Sequence, residues 1–544
     1  MSDLWTAYLS GDARLAPFFA HWPGDWASVV EARRQADTKP LDHAAVQEIA
    51  HANAQWGVAS RVVDRAALLR LHDTRVIATG QQAGLLGGPL YTLYKAMAAV
   101  RWAERLERDL GVSVVPVFWV ASEDDDFDEV RSFRWQDVNG AWLEYQYQPQ
   151  HHQPGMPIYD IAVEPQLRDD LAEVFGGVRK TEFTADLSKR IGVIAAESPD
   201  LEAFFVRTLA WLLGERAPVF ISPRMTWVRQ GSARIVEREI LQPGESSRRV
   251  IEFGERLRAL GFDPGLHRRP EHVNCFLYEN GLRHKILESD GQFEIIAPTG
   301  ERHKIETTRL RSELAKNPAH FALNVVTRPI VQDFALPTLA YVAGPGEVGY
   351  FAQMRGVYEH FGVTMPMILP RPQVCLIEPR VERALAKLGV TIEPAVIQSA
   401  DKFGALVQGA PRQTPVEEQL AAARQRMNEA LGFVGSQMDL ANPAVARSFE
   451  KLQGMMKTGF EKLVERQREA ALSRDTEMER AFATARDSLW PGGLPQERAL
   501  TIFFPFLNLF GTRLIEQLIE AITLDATGIQ PIILSSLMAG ERTS

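Results

Sequence analysis

Arg75-Val-Ile-Ala-Thr-Gly-Gln-Gln-Ala-Gly-Leu-Leu-Gly-Gly-Pro-Leu-Tyr-Thr-Leu-Tyr-Lys95 is the stretch whose reading decides the fold. Val76 to Ala78 form a short apolar run of the kind buried in a parallel sheet, and Gly80, Gly84, Gly87 and Gly88 then let the backbone turn tightly and approach other groups closely. Pro89 stands where a helix starts without losing a needed N–H, and Leu90, Leu93, Tyr94, Met97, Val100 and Leu106 recur near helical spacing. Strand, glycine turn and helix in that order place helix amides against the loop. Gln81, Gln82, Tyr91, Thr92 and Lys95 add neutral donors, hydroxyls and one cation suited to a carboxylate or phosphate. No Gly-Lys-Ser/Thr follows, so the loop is not a Walker loop. A purely structural crossover remains open.

Working outward, Val114 to Ala121 supplies a second apolar strand at the distance a parallel βαβ unit requires. It runs into Ser122-Glu-Asp-Asp-Asp-Phe-Asp-Glu129, with six carboxylates in the seven residues from Glu123 to Glu129. Ligands of open α/β sheets bind beyond the carboxyl ends of the strands, so the two strand tips are expected to share one pocket. Glu123, Asp124 and Asp126 then become candidates to hold Mg²⁺ or an ammonium group, and the alternative is a solvated acidic loop that caps the next helix.

A third block begins at Asn324-Val-Val-Thr-Arg-Pro-Ile-Val-Gln-Asp333, continues through Leu336 to Tyr350 and reaches Met365 to Arg371. Within it Gly344-Pro-Gly-Glu-Val-Gly349 has the spacing of a dinucleotide fingerprint. Glu347 would set a negative charge beside a pyrophosphate, and the next strand ends in Pro370 and Arg371 where an acidic ribose ligand belongs. An NADP site that uses Arg371 stays open. The favoured reading has this loop returning beside the first.

TGQQAGLLGGPLYTLYK, VPVFWVASEDDDF and the third block, in this order, resemble the bacillithiol biosynthesis cysteine-adding enzyme family, BshC. The family's acidic motif reads Glu-Asp-His-Asp, and Asp125 stands here in the place of its histidine. The resemblance implies a Rossmann-like parallel sheet of the nucleotidyltransferase and class I synthetase type, with insertions and a C-terminal antiparallel coiled-coil hairpin. It implies a ligase that joins the cysteine carboxyl group to the amine of glucosaminyl-malate, with ATP for carboxyl activation and possible use of Mg²⁺. On that basis Glu123, Asp124, Asp126 and Lys95 are the candidate catalytic residues. Gly80, Gln81, Gln82, Gly84, Gly88, Tyr91, Thr92, Asn324, Arg328, Gln332, Gly344, Gly346, Glu347 and Tyr350 are the candidate binding residues. No metal ligand set is assigned. A nucleotidyltransferase for another small acid and a non-catalytic dimeric binding protein are the alternatives.

The whole chain bounds these readings. Its 544 residues, 45% of them hydrophobic, suffice for at least two cores. A net charge of −9 disfavours a broad nucleic-acid surface, which needs clustered cations. Cys275 and Cys375 are too few for a disulfide framework and lack metal-ligand spacing. No leader or membrane span is read, so a cytoplasmic protein is expected.

The expected organisation is a core over 1–410 with insertions at about 133–177 and 265–310, a helical hairpin over 411–492, and a segment 493–544 that returns to the core. The first insertion is rich in Tyr, Gln, His and Pro. The second carries an Asn280-Gly281 hairpin signal. In the hairpin Leu420, Met427, Leu431 and Val434, then Phe449, Leu452, Met456 and Leu463, recur at heptad-like spacing, and a homodimer through this face is expected. Leu494 to Ile522 reads as an apolar helix, and Ile529 to Leu534 as a last strand of the main sheet.

Overall fold

The computed structural model describes residues 4–22, 26–35, 39–394, 397, 399–409, 415–473, 476–525 and 527–539. The expected start of the hairpin at 411–414 lies outside these residues. Five strands form the central sheet: β1 (Arg75–Gln81), β2 (Val114–Val120), β3 (Val219–Ile221), β4 (Thr338–Ala343) and β5 (Met367–Pro370). Their order is β5-β4-β1-β2-β3 and every pairing is parallel, with Ile77 opposite Ala340 and Gly80 opposite Trp119. The chain therefore builds outward from β1 in one direction, then jumps to β4 and builds outward in the other. This is the doubly wound arrangement, and its switch point lies between β1 and β4.

Burial explains the strand composition. All seven residues of β2 and all six of β4 are buried, which is why they read as continuous apolar runs. The helix Leu90–Leu110 crosses from β1 to β2, lays Ala98, Ala99, Trp102, Ala103 and Leu106 on Ile77, Ala340 and Val342, and stops at Gly111 in the left-handed conformation. The N-terminal helices are fastened to the same body, where the Tyr8 hydroxyl donates to the Ile368 carbonyl at 2.6 Å and Phe18 and Phe19 are buried.

Two antiparallel sheets stand apart from the central one. Ser132–Gln136 and Trp142–Gln146 pair as an antiparallel hairpin. The region between β3 and β4 carries a five-stranded sheet with the order Phe321–Leu323, His272–Glu279, Leu282–Ser289, Gln292–Ile296, Arg302–Ile305. Asn280 and Gly281 turn its central hairpin with φ of 54° and 78°, as a two-residue primed turn demands.

The chain divides into two compact units. One comprises residues 1–374 with 497–530, the other 375–496 with 531–544. Residues 375–410, read from the sequence as part of the core, fall in the second unit. In that unit the helices Pro415–Ser436 and Pro443–Ser473 form the hairpin, and Gly435 lies so close to the Phe449 ring that a Cβ there would sit 2.8 Å from it. The helix Thr476–Leu489 brings Phe482 against Phe403, their ring centroids 5.4 Å apart.

Two expectations are corrected. Leu494–Ile522 is not one helix but a series of short turns around Pro505 and Gly511, followed by the helix Arg513–Ala521, because the proline and glycine interrupt the hydrogen-bond ladder. Ile529–Ile533 does not rejoin the main sheet; it pairs with Gln373–Ile377 in a separate two-stranded ladder.

One buried acid gives the fold a pH signature. Glu239 on the helix Thr226–Leu241 is 1% exposed and accepts from the Asn274 amide at 2.8 Å, and burial pushes its carboxyl up to about 7. A folded-state value above the unfolded one adds stability that is full below about pH 4.5 and is lost as pH rises through 7. Removing this titration with Glu239→Gln should therefore change stability by an amount that depends on pH. The difference from wild type in unfolding free energy is expected to be about 2–4 kcal/mol more favourable at pH 8 than at pH 5, as measured by urea denaturation.

Candidate functional site

The carboxyl ends of β1 and β4, on either side of the switch point, open into a cavity of about 590 Å³. Gly80 sits at the tip of β1, where a Cβ would lie 2.6 Å from the Trp119 carbonyl, so only glycine allows the two strand ends this close. The acidic loop after β2 lies alongside: Gln82 Nε2 donates to Asp124 Oδ2 at 2.7 Å. The two strand tips expected to share one pocket do so.

Of the residues named from the sequence, Gly80, Gln81, Gln82, Tyr91, Lys95, Glu123, Asp124, Asn324, Arg328, Gly344, Gly346, Glu347 and Tyr350 line this cavity. Gly84, Gly88, Thr92, Asp126 and Gln332 are not among its lining residues. Gly84 and Gly88 pack on each other and on Thr92, which is fully buried. Asp126 is exposed and caps the short helix Phe127–Val130, and Gln332 is buried between Arg328 and Asp333. The first amide of the Leu90–Leu110 helix is also withdrawn from any ligand, because Leu90 N donates to the Leu500 carbonyl at 2.8 Å.

At the floor of the cavity lies Lys95, 1% exposed. Its ammonium donates to the Gly80 carbonyl at 2.6 Å and to Gln81 Oε1 at 3.2 Å, and pairs with Glu347 Oε2 at 2.6 Å. An ammonium has three N–H bonds and all three are used, so Lys95 joins the loop after β1 to the loop after β4 and has no donor left for a ligand. Glu347 also accepts from the Gly344 amide at 2.7 Å and from the Tyr341 hydroxyl at 2.8 Å. Burial alone would raise its carboxyl, but Lys95 and the Gly344 amide hold it below the usual carboxylate range. Gly344 to Gly349 thus closes a capping box on a helix of seven residues. Arg371, the residue that might have met a 2′-phosphate, is bound bidentately by Glu497 at 2.7 and 2.6 Å. The dinucleotide reading of this loop has no support in the geometry.

Three carboxylates of the acidic run are committed in the same way. Glu123 pairs with Arg229 and accepts from the Leu323 amide at 3.0 Å. Arg283, 4% exposed and stacked on Phe276, donates to Asp124 at 2.9 Å and to Asp125 at 2.5 Å. Asp125 therefore serves to fasten the acidic loop to the five-stranded sheet. Among the described residues no group of three or more His, Cys, Asp or Glu side chains is arranged to hold a metal ion.

Three arginines and one carboxylate, Glu129, remain toward the cavity. Arg328 meets only neutral acceptors, Gln332 Oε1 and the Tyr350 hydroxyl, both at 3.3 Å. Arg268 donates to Asn274 Oδ1 at 3.2 Å, and Arg498 lies over the Tyr91 ring. None of the three has a carboxylate within ion-pair distance among the described residues, and all three line the cavity.

Sequence reasoning missed Arg229, Arg268, Arg283, Arg498 and Glu129. A signal existed for Arg283, a charged residue at a buried position of an alternating strand. Arg229, Arg268 and Arg498 lie far from the glycine loops in sequence, and only the fold assembles them.

A doubly wound Rossmann-like sheet with a polar cavity at its switch point, continued into a helical hairpin, defines the class of protein. Residues 1–372 match the family described as "Bacillithiol biosynthesis BshC, N-terminal Rossmann-like domain", and residues 374–527 match "Bacillithiol biosynthesis BshC, C-terminal coiled-coil domain". The chain belongs to the bacillithiol biosynthesis BshC family. A relative from Salinibacter ruber is 28% identical over 538 residues, 97% of this chain and 96% of its own length. One from Prosthecochloris aestuarii is 30% identical over 481 residues, 86% of this chain and 84% of its own. One from Bacillus licheniformis is 28% identical over 528 residues, 94% of each. All three carry the name "Putative cysteine ligase BshC".

The floor of the cavity can be tested directly. Lys95→Met should strand the Glu347 carboxylate in a buried position and lower stability by about 3–5 kcal/mol, and adding Glu347→Gln should restore more than half of the loss. Equilibrium urea unfolding of the two variants measures both.

Proposed function

We propose that this chain is a ligase of bacillithiol biosynthesis that joins the carboxyl group of cysteine to the amine of glucosaminyl-malate. The observation that carries the reading is the charge left in the cavity. Of its acidic residues after β2, Glu123, Asp124 and Asp125 are bound by Arg229 and Arg283, while Arg268, Arg328 and Arg498 face it without carboxylate partners among the described residues. Such a pocket favours a substrate with several negative charges, and malate bears two carboxylates. The name shared by the relatives supports the same reaction.

Amide formation from a free carboxylate is uphill in water, and ATP is the proposed source of activation. Arg268, Arg328 and Arg498, with the side-chain amides of Gln81 and Gln82, are the groups suited to hold its phosphates or the malate carboxylates and to offset charge that develops there. The cavity walls offer no free carboxylate cage, so Mg²⁺ fits this site as an ion carried on the phosphates rather than one held by Glu123 and Asp124. The cytoplasm, which supplies nucleotide and reduced thiol together, is the proposed compartment. No described helix is long and apolar enough to cross a membrane.

Purified protein given cysteine, ATP, Mg²⁺ and glucosaminyl-malate should yield the amide, detected by mass. Arg328→Gln should raise the KM for glucosaminyl-malate by about 10- to 100-fold, the worth of a lost charge-assisted hydrogen bond. Failure of the wild-type protein to form any amide would reject the reading.

The hairpin supports a second element of the proposal. Phe433, Leu452, Met455, Met456 and Leu463 stand 42–69% exposed along its two helices, an apolar face that a second copy of the chain would cover. The proposed assembly is a homodimer through this face. Met455→Glu together with Leu463→Glu should convert a dimer to a monomer in light scattering; a wild-type protein that is already monomeric at micromolar concentration contradicts it.

A further inference from the structure

Glu129 is a carboxylate of the cavity wall that no cation among the described residues pairs with. Asp126-Phe-Asp-Glu129 has the spacing of a capping box, in which the fourth residue's side chain turns back to the first residue's amide. Half of that box forms, with Asp126 Oδ1 accepting from the Glu129 amide at 3.3 Å. The reciprocal bond is absent, in contrast to Glu347, which closes its own box. The Glu129 side chain instead lines the cavity. Among the described residues it has no Lys or Arg within ion-pair distance, whereas Glu123, Asp124, Asp125 and Glu347 each have one.

From this geometry we infer that Glu129 receives the amine of the acceptor substrate and takes up its proton as the amide bond forms. The inference rests on the ligase reading above and names the atom that reading leaves open. The amine nitrogen attacks the activated cysteine carbonyl and the C–N bond forms. The bond from that carbonyl carbon to the oxygen of the activating phosphate, derived from a nucleoside triphosphate, breaks, and its electron pair leaves with the phosphate. An amine that arrives as ammonium first gives one proton to solvent and attacks in its neutral form, and the second proton, lost by nitrogen as the C–N bond forms, passes to the Glu129 carboxylate.

The surroundings suit a proton acceptor. Glu129 is exposed at the cavity wall; partial desolvation there raises its carboxyl above its ordinary value, the neighbouring Asp126 and Asp124 raise it further, and a hydrogen bond from Gln82 and the charge of Arg498 oppose them. Tyr91 is the other titratable group facing it, and burial pushes that hydroxyl up to about 12, so Tyr91 stays neutral where the amine reacts. A carboxylate with raised affinity for protons binds an ammonium and accepts its proton better than an unperturbed one.

The test is Glu129→Gln in the full-length protein. Amide formation should fall on the order of 10²-fold or more, and the acid limb of its kcat/KM profile should disappear. Hydroxylamine is uncharged at neutral pH and needs no base, so cysteine hydroxamate formation should stay within about threefold of wild type. In the absence of nucleotide, the affinity for glucosaminyl-malate should fall at least about tenfold while that for malate, which has no amine, is unchanged. Unchanged amide formation in the variant overturns the inference, and so does an equal loss of amide and hydroxamate. A wild-type protein that forms neither product rejects the ligase reading itself.

Discussion

A single buried ammonium holds the two halves of this site together. Lys95 reaches from the helix after β1 into the space between the β1 and β4 tips and satisfies the Gly80 carbonyl, Gln81 and Glu347 at once. Desolvating a charge is costly unless good geometry offsets it, so the cluster tolerates few arrangements, and this fixes how far apart the two glycine loops stand. The position of the cavity at the switch point is general to doubly wound sheets. Its width at the floor is set here by one side chain and its three acceptors.

The parallel core was legible because its strands are buried on both faces and its first crossover is punctuated by Gly80, Pro89 and Gly111. The adjacency of Gln82 and Asp124 followed from topology, since consecutive parallel strands place their ends side by side. The roles of individual charges were much less legible. Lys95 reads as a ligand cation and the acidic run as a metal or amine site, but a sequence does not show which charges neutralise each other. Arg229 lies 106 residues from Glu123, and Arg283 lies 159 from Asp124. The end of the chain misled for a related reason: Leu494–Ile522 has helical hydrophobicity, yet Pro505 and Gly511 break it into turns that fit an already formed surface.

The five-stranded insertion is more than decoration. Through Arg283 it grips the acidic loop, and through Arg268 and Phe276 it forms one wall of the cavity. Two neighbouring carboxylates that would repel one another and any anionic substrate, Asp124 and Asp125, are thereby paired from outside the Rossmann-like sheet, by a residue contributed from a different layer.

The segment 497–530 gives the molecule an order of assembly. Glu497 clasps Arg371, Leu500 caps the Leu90–Leu110 helix and Arg498 stacks on Tyr91, so the last wall of the cavity is supplied after the hairpin has been synthesised. On the ribosome the nascent Rossmann-like body must wait, with the Arg371 guanidinium lacking its carboxylate, for more than a hundred further residues to emerge. Completion of the cavity is thus deferred until the segment 497–530 has emerged, and a chain that stops before it carries the sheet but not the finished chamber.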